Sequence, residues 1–128
     1  MGFEDIIYDL IKEYRAARAD KQKQTEIAKS LTKKAYLRFN FEWNTEKNTD
    51  IGLDTFLRIK HELFMHYSQV FLDIAVEIYD ILPEESERLK NMAKAMKAGA
   101  LDRHTRAIIS IGDKIAESVM QYYQNLNQ

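Results

Sequence analysis

The sequence predicts an all-α protein, a bundle of four or five helices around one long central helix. Apolar residues recur at spacings of three and four through most of the 128 residues, and only four glycines and one proline interrupt the chain. The composition, 45% hydrophobic and 30% charged, is that of a globular chain. Amphipathic helices of this kind bury their apolar faces by packing side by side. We expect residues 1–128 to form a single domain.

The N-terminal region contains two amphipathic segments separated by a polar stretch. One apolar stripe lies between Phe3 and Tyr14 and a second between Ile27 and Phe39, whereas residues 18–26 are polar almost throughout. Two arrangements fit: one helix of about 40 residues, or an antiparallel pair with a break near Asp20. Because no glycine or proline enforces a break, the pattern favours a continuous or nearly continuous helix.

Turn-forming residues without apolar periodicity predict a loop at residues 44–52. The central helix follows from about residue 53 to 82, with Asp54 as its N-cap and Pro83 as its stop. Its predicted buried face consists of Leu53, Leu57, Phe64, Tyr67, Phe71, Ile74, Ile78 and Ile81, interrupted by Lys60. Between Val70 and Leu82 apolar residues almost encircle the helix. A helix of that kind is buried on several sides, by its own fold or by a second chain.

Two further helices complete the predicted bundle. Pro83 suits the first position of a helix that Gly99 ends as a C-terminal cap. The last helix is predicted to begin with Asp102 as N-cap and to run to about Tyr123. Four methionines near the apolar stripes are predicted to fill the core: Met65, Met92, Met96 and Met120.

Composition and missing motifs exclude several classes of function. Without cysteine the chain forms no disulfide, thiolate zinc site or thiol nucleophile. It also has no glycine-rich phosphate loop and no nucleophile elbow, so we expect no enzyme and no cofactor. No apolar stretch reaches the roughly 18 residues that cross a bilayer, and acidic Glu4 and Asp5 stand where a secretory signal is basic. We therefore expect a cytoplasmic protein without membrane contact.

Metal chemistry is the weakest functional hypothesis. Glu62 and His66 are four residues apart on one helix face, but their spacing fits neither the zincin nor the di-iron template. A hydrogen bond between these two side chains explains the pair better than a metal site does.

Charge balances overall but separates along the chain. The formal net charge is -1, yet residues 12–38 carry nine basic against three acidic residues. Residues 73–87 carry six acidic and no basic residues, and residues 88–106 carry six basic against one acidic. Such blocks indicate internal pairing, association between chains, or a basic face for a polyanion.

Two interaction hypotheses follow. The first is a non-enzymatic assembly protein that self-associates or docks a protein partner, with interface candidates Val70, Leu72, Val76, Tyr79 and Tyr123. The alternative is a protein that binds the backbone of single-stranded RNA or DNA, with candidates Lys29, Lys33, Lys34, Arg38, Arg103 and Arg106. Nearby aromatic residues favour a single-stranded ligand, although Phe39 and Trp43 are predicted to be core residues. The competing interpretation of both basic clusters is a solvated face or pairing with the acidic block.

Overall fold

The structure is a computed structural model that describes residues 2–45, 52–101 and 107–127. These residues form five helices and no strand, which confirms the predicted all-α bundle. The helices are α1 (Phe3–Ala16), α2 (Lys21–Thr45), α3 (Leu53–Ile78), α4 (Pro83–Leu101) and α5 (Ala107–Leu126). Of the predicted loop at 44–52, positions 44 and 45 belong to α2 and residues 46–51 lie outside the described residues.

Helices α2 to α5 form a ring of four in which neighbours run antiparallel. Trp43 of α2 stacks on Phe64 of α3 with ring centroids 4.9 Å apart. The hydroxyl of Ser86 in α4 donates to the Ala75 carbonyl of α3, at 2.6 Å. The ring closes where the amide of Asn40 in α2 donates to a carbonyl of α5, at 3.1 Å. This is the up-and-down arrangement that short connections favour.

Helix α1 lies outside the ring, and its position corrects the prediction of one continuous N-terminal helix. The chain breaks at residues 17–20, where the Asp20 carboxylate accepts a hydrogen bond from the Lys23 backbone N–H at 3.1 Å. The Gln24 amide donates to the Tyr14 carbonyl at 3.0 Å, while the Arg38 guanidinium lies over the Phe3 ring at 5.8 Å. These two contacts show that α1 and α2 are antiparallel. The reversal at Asp20 lets the apolar faces of both helices enter one core.

That core is rich in aromatic side chains and draws on all five helices. The predicted buried face of α3 is confirmed at Phe64, Tyr67, Phe71, Ile74 and Ile78, whereas Leu53 at the start of the helix is 48% exposed. Lys60, the predicted interruption, is only 3% exposed, and its ammonium donates to the Trp43 carbonyl and lies 4.2 Å from the centre of that indole. Phe39 and Trp43 are buried, as predicted.

Three helix ends differ from the sequence prediction. Gly52, with φ of 80°, occupies the N-cap of α3, and its carbonyl accepts the Phe56 N–H, so Asp54 lies inside the first turn. α3 ends at Ile78 rather than residue 82, and residues 79–81 form a turn that precedes Pro83. Gly99 does not end α4, which runs on to Leu101.

At Gly99 the absence of a side chain serves packing rather than capping. A Cβ at this position would lie 3.0 Å from the Phe64 ring, so the glycine allows α4 to approach α3 closely. Pro83 begins α4, as predicted. The predicted N-cap of the last helix, Asp102, lies outside the described residues, and α5 extends from Ala107 to Leu126.

Candidate interaction surfaces

Four apolar side chains form an exposed row on the outer face of α3, which we call the α3 stripe. Met65, Leu72, Val76 and Tyr79 follow one another at intervals of seven, four and three residues, so they share one helix face. Val76 is 72% exposed and Tyr79 65%, while Met65 and Leu72 are exposed to a lesser degree. Buried residues of α3 occupy the other side of the helix, so no described part of the chain covers the stripe.

The α3 stripe differs in two residues from the interface predicted on this helix. Val70 is half-buried and packs against the core, whereas Leu72, Val76 and Tyr79 are exposed. Met65, predicted as core filler, is 42% exposed because it lies one heptad before Leu72 on the outer face. Met92 and Met96 are buried, as predicted, and Met120 is half-buried.

Acidic residues of α3 border the stripe on the side of α1. Arg15 of α1 forms a two-point ion pair with Glu77, at 2.6 and 3.0 Å, which identifies the α1 side of this helix. The bond to Glu77 raises the pKa of the Arg15 guanidinium. His66 also faces α1, because its ring lies 3.4 Å from Glu4 of that helix. Asp73 is four residues before Glu77 and Glu62 is four residues before His66, so both acidic residues lie on the α1 side of α3. Glu62 and Asp73 therefore form an acidic flank.

Lysines of α4 border the stripe on its other side. Ser86 marks the α4 face that meets α3, and Lys90 and Lys97 follow it by four and eleven residues. Both lysines are exposed and form no ion pair with the described residues. Lys90 and Lys97 therefore form a basic flank, and the apolar stripe separates it from the acidic flank.

A second surface lies between α2 and α5, where lysines meet an aromatic ring. The groove has a volume of about 430 Å³. We call it the lysine groove; its lining is Glu26, Lys29, Ser30, Lys33, Lys34, Leu37 and Tyr123. Three predicted nucleic-acid contacts, Lys29, Lys33 and Lys34, thus share one site with Tyr123, a predicted interface residue. Sequence reasoning could not join them, because α2 and α5 are far apart along the chain.

Arg38, another predicted nucleic-acid contact, does not line this groove. The Arg38 guanidinium pairs with Glu42 at 3.2 Å and lies over the rings of Phe3 and Phe41, at 5.8 and 6.0 Å. Arg38 thus points toward α1, since α1 packs on that side of α2. Arg103 and Arg106 lie outside the described residues.

A third concavity, of about 500 Å³, is a polar recess between the start of α1 and helices α2 and α3. It includes Glu4, Arg38, Glu42, Glu62 and His66. The hydroxyl of buried Tyr67 donates to Glu42, and burial followed by that bond raises the Tyr67 pKa well above its ordinary value. Polar groups of the recess are thus largely paired with one another.

The predicted bond between Glu62 and His66 does not form, because His66 turns to Glu4 instead. Among the residues that the structure describes, no three His, Asp or Glu side chains are placed to hold a metal ion.

Comparison with known proteins adds no relative. No family model, curated protein or solved structure matches the chain. Over residues 2–45, 52–101 and 107–127, no helix combines the length and apolar character needed to span a bilayer.

Proposed function

We propose that this protein is a non-enzymatic assembly protein that self-associates through the α3 stripe. The supporting observation is the uncovered row of four apolar side chains, with Val76 at 72% exposure and Tyr79 at 65%. Removing apolar surface from water contributes about 25 cal/mol per Å². Contiguous apolar patches bordered by polar residues are typical of protein interaction sites. A partner that covers the stripe gains this burial free energy.

Charge complementarity favours a second copy of the chain as that partner. The acidic flank and the basic flank lie on opposite sides of the stripe. If two copies face each other across a two-fold axis parallel to α3, the acidic flank of each copy meets the basic flank of the other. An axis perpendicular to α3 would instead place like charges together. The proposed dimer therefore has its two α3 helices parallel.

The charges also lie at similar heights along the helices. Ser86 lies beside Ala75 and Gly99 lies beside Phe64, so Lys90 lies near the level of Asp73 and Lys97 about one helical turn from the level of Glu62. These four charges would form the rim of the interface around an apolar centre.

The primary test is the mass of the protein in solution. Light scattering should give a dimer, and Val76→Glu with Tyr79→Glu should weaken the dimer by on the order of 100-fold, because two central contacts are lost. The control, Gln22→Glu with Ser110→Glu, adds the same charge at exposed positions on α2 and α5 and should remain dimeric. Circular dichroism checks that both variants fold. A wild-type protein that stays monomeric at high concentration would refute the proposed function.

The charge arrangement has its own test. Lys90→Glu with Lys97→Glu makes both flanks acidic, and Glu62→Lys with Asp73→Lys makes both flanks basic. Each variant alone should be monomeric, while an equimolar mixture should form heterodimers. Because the chain has no native cysteine, single-cysteine variants test the parallel arrangement. Met65→Cys should cross-link to itself, as should Tyr79→Cys, whereas a cross-link between the two variants would indicate antiparallel helices.

A further inference from the structure

We propose that the lysine groove binds a segment of single-stranded nucleic acid, with Lys29, Lys33 and Lys34 on backbone phosphates and the Tyr123 ring against a base. The site lies on the α2–α5 side of the bundle, across the ring of helices from the α3 stripe. It does not depend on the proposed dimer, so either proposal can fail without the other.

The positive charge of the groove is not balanced by ion pairs with the described residues. Three ammonium groups share the groove with a single carboxylate, Glu26. No described residue forms an ion pair with these lysines, whereas Arg15, Arg38 and Arg88 each pair with a glutamate. Like charges held together raise the energy of the free protein and attract an anion. The internal-pairing interpretation therefore applies to these arginines and not to the lysines of the groove.

Apolar surface lies beside these cations in the groove. Tyr123 is half-buried, so α5 holds its ring in place while one side lines the groove, and Leu37 is 47% exposed. A duplex presents phosphates and hides its bases, whereas an unpaired strand offers a base face for stacking. Cations together with an aromatic ring therefore select a single strand.

The size of the groove also fits a single strand. A groove of about 430 Å³ lies within the roughly 300–1,000 Å³ range of small-ligand sites. It can hold a unit of nucleotide size but not the width of a double helix. Ser30, on the same wall, supplies a hydroxyl that can donate to a phosphate or sugar oxygen.

The experiment is a fluorescence anisotropy titration of labelled single-stranded oligonucleotide with the full chain, at a series of salt concentrations. Binding should weaken as salt rises, because phosphate neutralisation releases counterions. The triple variant Lys29→Gln, Lys33→Gln, Lys34→Gln should lower the slope of log affinity against log salt by about 2. Its control, Lys12→Gln, Lys94→Gln, Lys114→Gln, removes the same charge from exposed lysines of other faces and should keep the slope.

The ring has a separate variant and control. Tyr123→Leu should weaken binding about tenfold through loss of base stacking, while Tyr8→Leu, at an exposed tyrosine of α1, should leave affinity unchanged. The proposal is overturned if the oligonucleotide does not bind at low salt, or if both lysine variants lose slope equally. It is also overturned if Tyr123→Leu binds normally and poly-glutamate competes as well as nucleic acid, since the groove would then take an acidic peptide.

Discussion

At the scale of single residues, the Trp43 indole packs directly against Gly112. The indole is enclosed by the rings of Phe39 and Phe64 and donates its N–H to Asp113 at 2.9 Å. A Cβ built on Gly112 would lie only 1.7 Å from the indole Cζ2 atom. The Trp43 indole therefore occupies the space that a side chain at position 112 would need. α5 approaches α2 closely only because this position is a glycine.

Gly112→Ala should consequently destabilise the protein, although alanine favours helix over glycine by about 1 kcal/mol. We expect a loss of about 2 kcal/mol or more in the free energy of unfolding, because Trp43 must move within a packed core. Urea denaturation followed by the fluorescence of this single tryptophan measures the change. Ser110→Ala, at an exposed position of the same helix, is the control and should change stability little. A Gly112→Ala protein as stable as the wild type would contradict the packing described here.

For Lys60 the sequence pattern predicts the position on the buried face but not the contacts that the side chain makes. Periodicity placed the residue on the buried face of α3, and the structure confirms that position. The pattern contains no information about its compensating contacts, the Trp43 carbonyl and indole, because these come from another helix.

At the scale of helices, the break between α1 and α2 has no glycine or proline to cause it. Asp20 supplies the local signal: its carboxylate accepts the Lys23 N–H and so caps the start of α2. A cap alone does not end the preceding helix. The reversal is favourable because it buries Ile7, Ile11 and Tyr14 against α2, and that gain is tertiary.

Asp20→Ala should therefore destabilise the protein by about 1 kcal/mol, the usual effect of removing an N-cap. Asp20→Asn retains an oxygen that accepts the same hydrogen bond, so its stability should stay close to that of the wild type. Chemical denaturation monitored by circular dichroism measures both variants. Equal losses in the two variants would show that the carboxylate acts by its charge rather than as a cap.

At the scale of the whole molecule, a buried network joins three helices. The hydroxyl of Tyr36 in α2 donates to Glu85 of α4 at 2.8 Å, and Glu85 is only 6% exposed. Arg88 bonds to the same carboxylate and lies 4.8 Å from the ring centre of Tyr122 in α5. The bond to Glu85 raises the pKa of Arg88. Burial, and then the charge of Glu85, raise the pKa of Tyr36 well above its ordinary value.

The raised tyrosine pKa values predict loss of stability at alkaline pH. Burial raises the pKa in the folded state for Tyr14, Tyr36 and Tyr67. The contribution of these three tyrosines to stability is thus fully present below a pH of about 10, where tyrosines of the unfolded chain are also neutral. Above it the unfolded state ionises first, so the free energy of unfolding falls, by up to about 1.4 kcal/mol per pH unit for each tyrosine.

Above pH 10, Tyr36→Phe should reduce the decrease in the free energy of unfolding by about 1.4 kcal/mol per pH unit, because one ionisable tyrosine is removed. Urea denaturation at pH values from 8 to about 11 measures the slope. Tyr8→Phe, at a tyrosine that is 54% exposed, should reproduce the wild-type slope. An unchanged slope in Tyr36→Phe would show that Tyr36 does not resist ionisation in the folded state.

The two proposed surfaces lie on different sides of the bundle. The α3 stripe faces outward on one side of the ring of helices, and the lysine groove lies between α2 and α5 on the other. In the proposed dimer each copy would keep its lysine groove uncovered. Assembly and nucleic-acid binding would then be compatible functions of one bundle rather than competing ones.

Spacing along the chain was enough to predict the helical fold class, the buried face of α3 from Phe64 to Ile78, the start of α4 at Pro83 and the surplus of apolar residues between Val70 and Leu82. These features depend on periodicity and backbone chemistry, which act locally. The packing of the helices was needed to show that α1 turns back, that Gly99 and Gly112 admit neighbouring rings, and that Tyr123 meets Lys29, Lys33 and Lys34. Those outcomes depend on which helices become neighbours, and the burial of the whole core selects that arrangement.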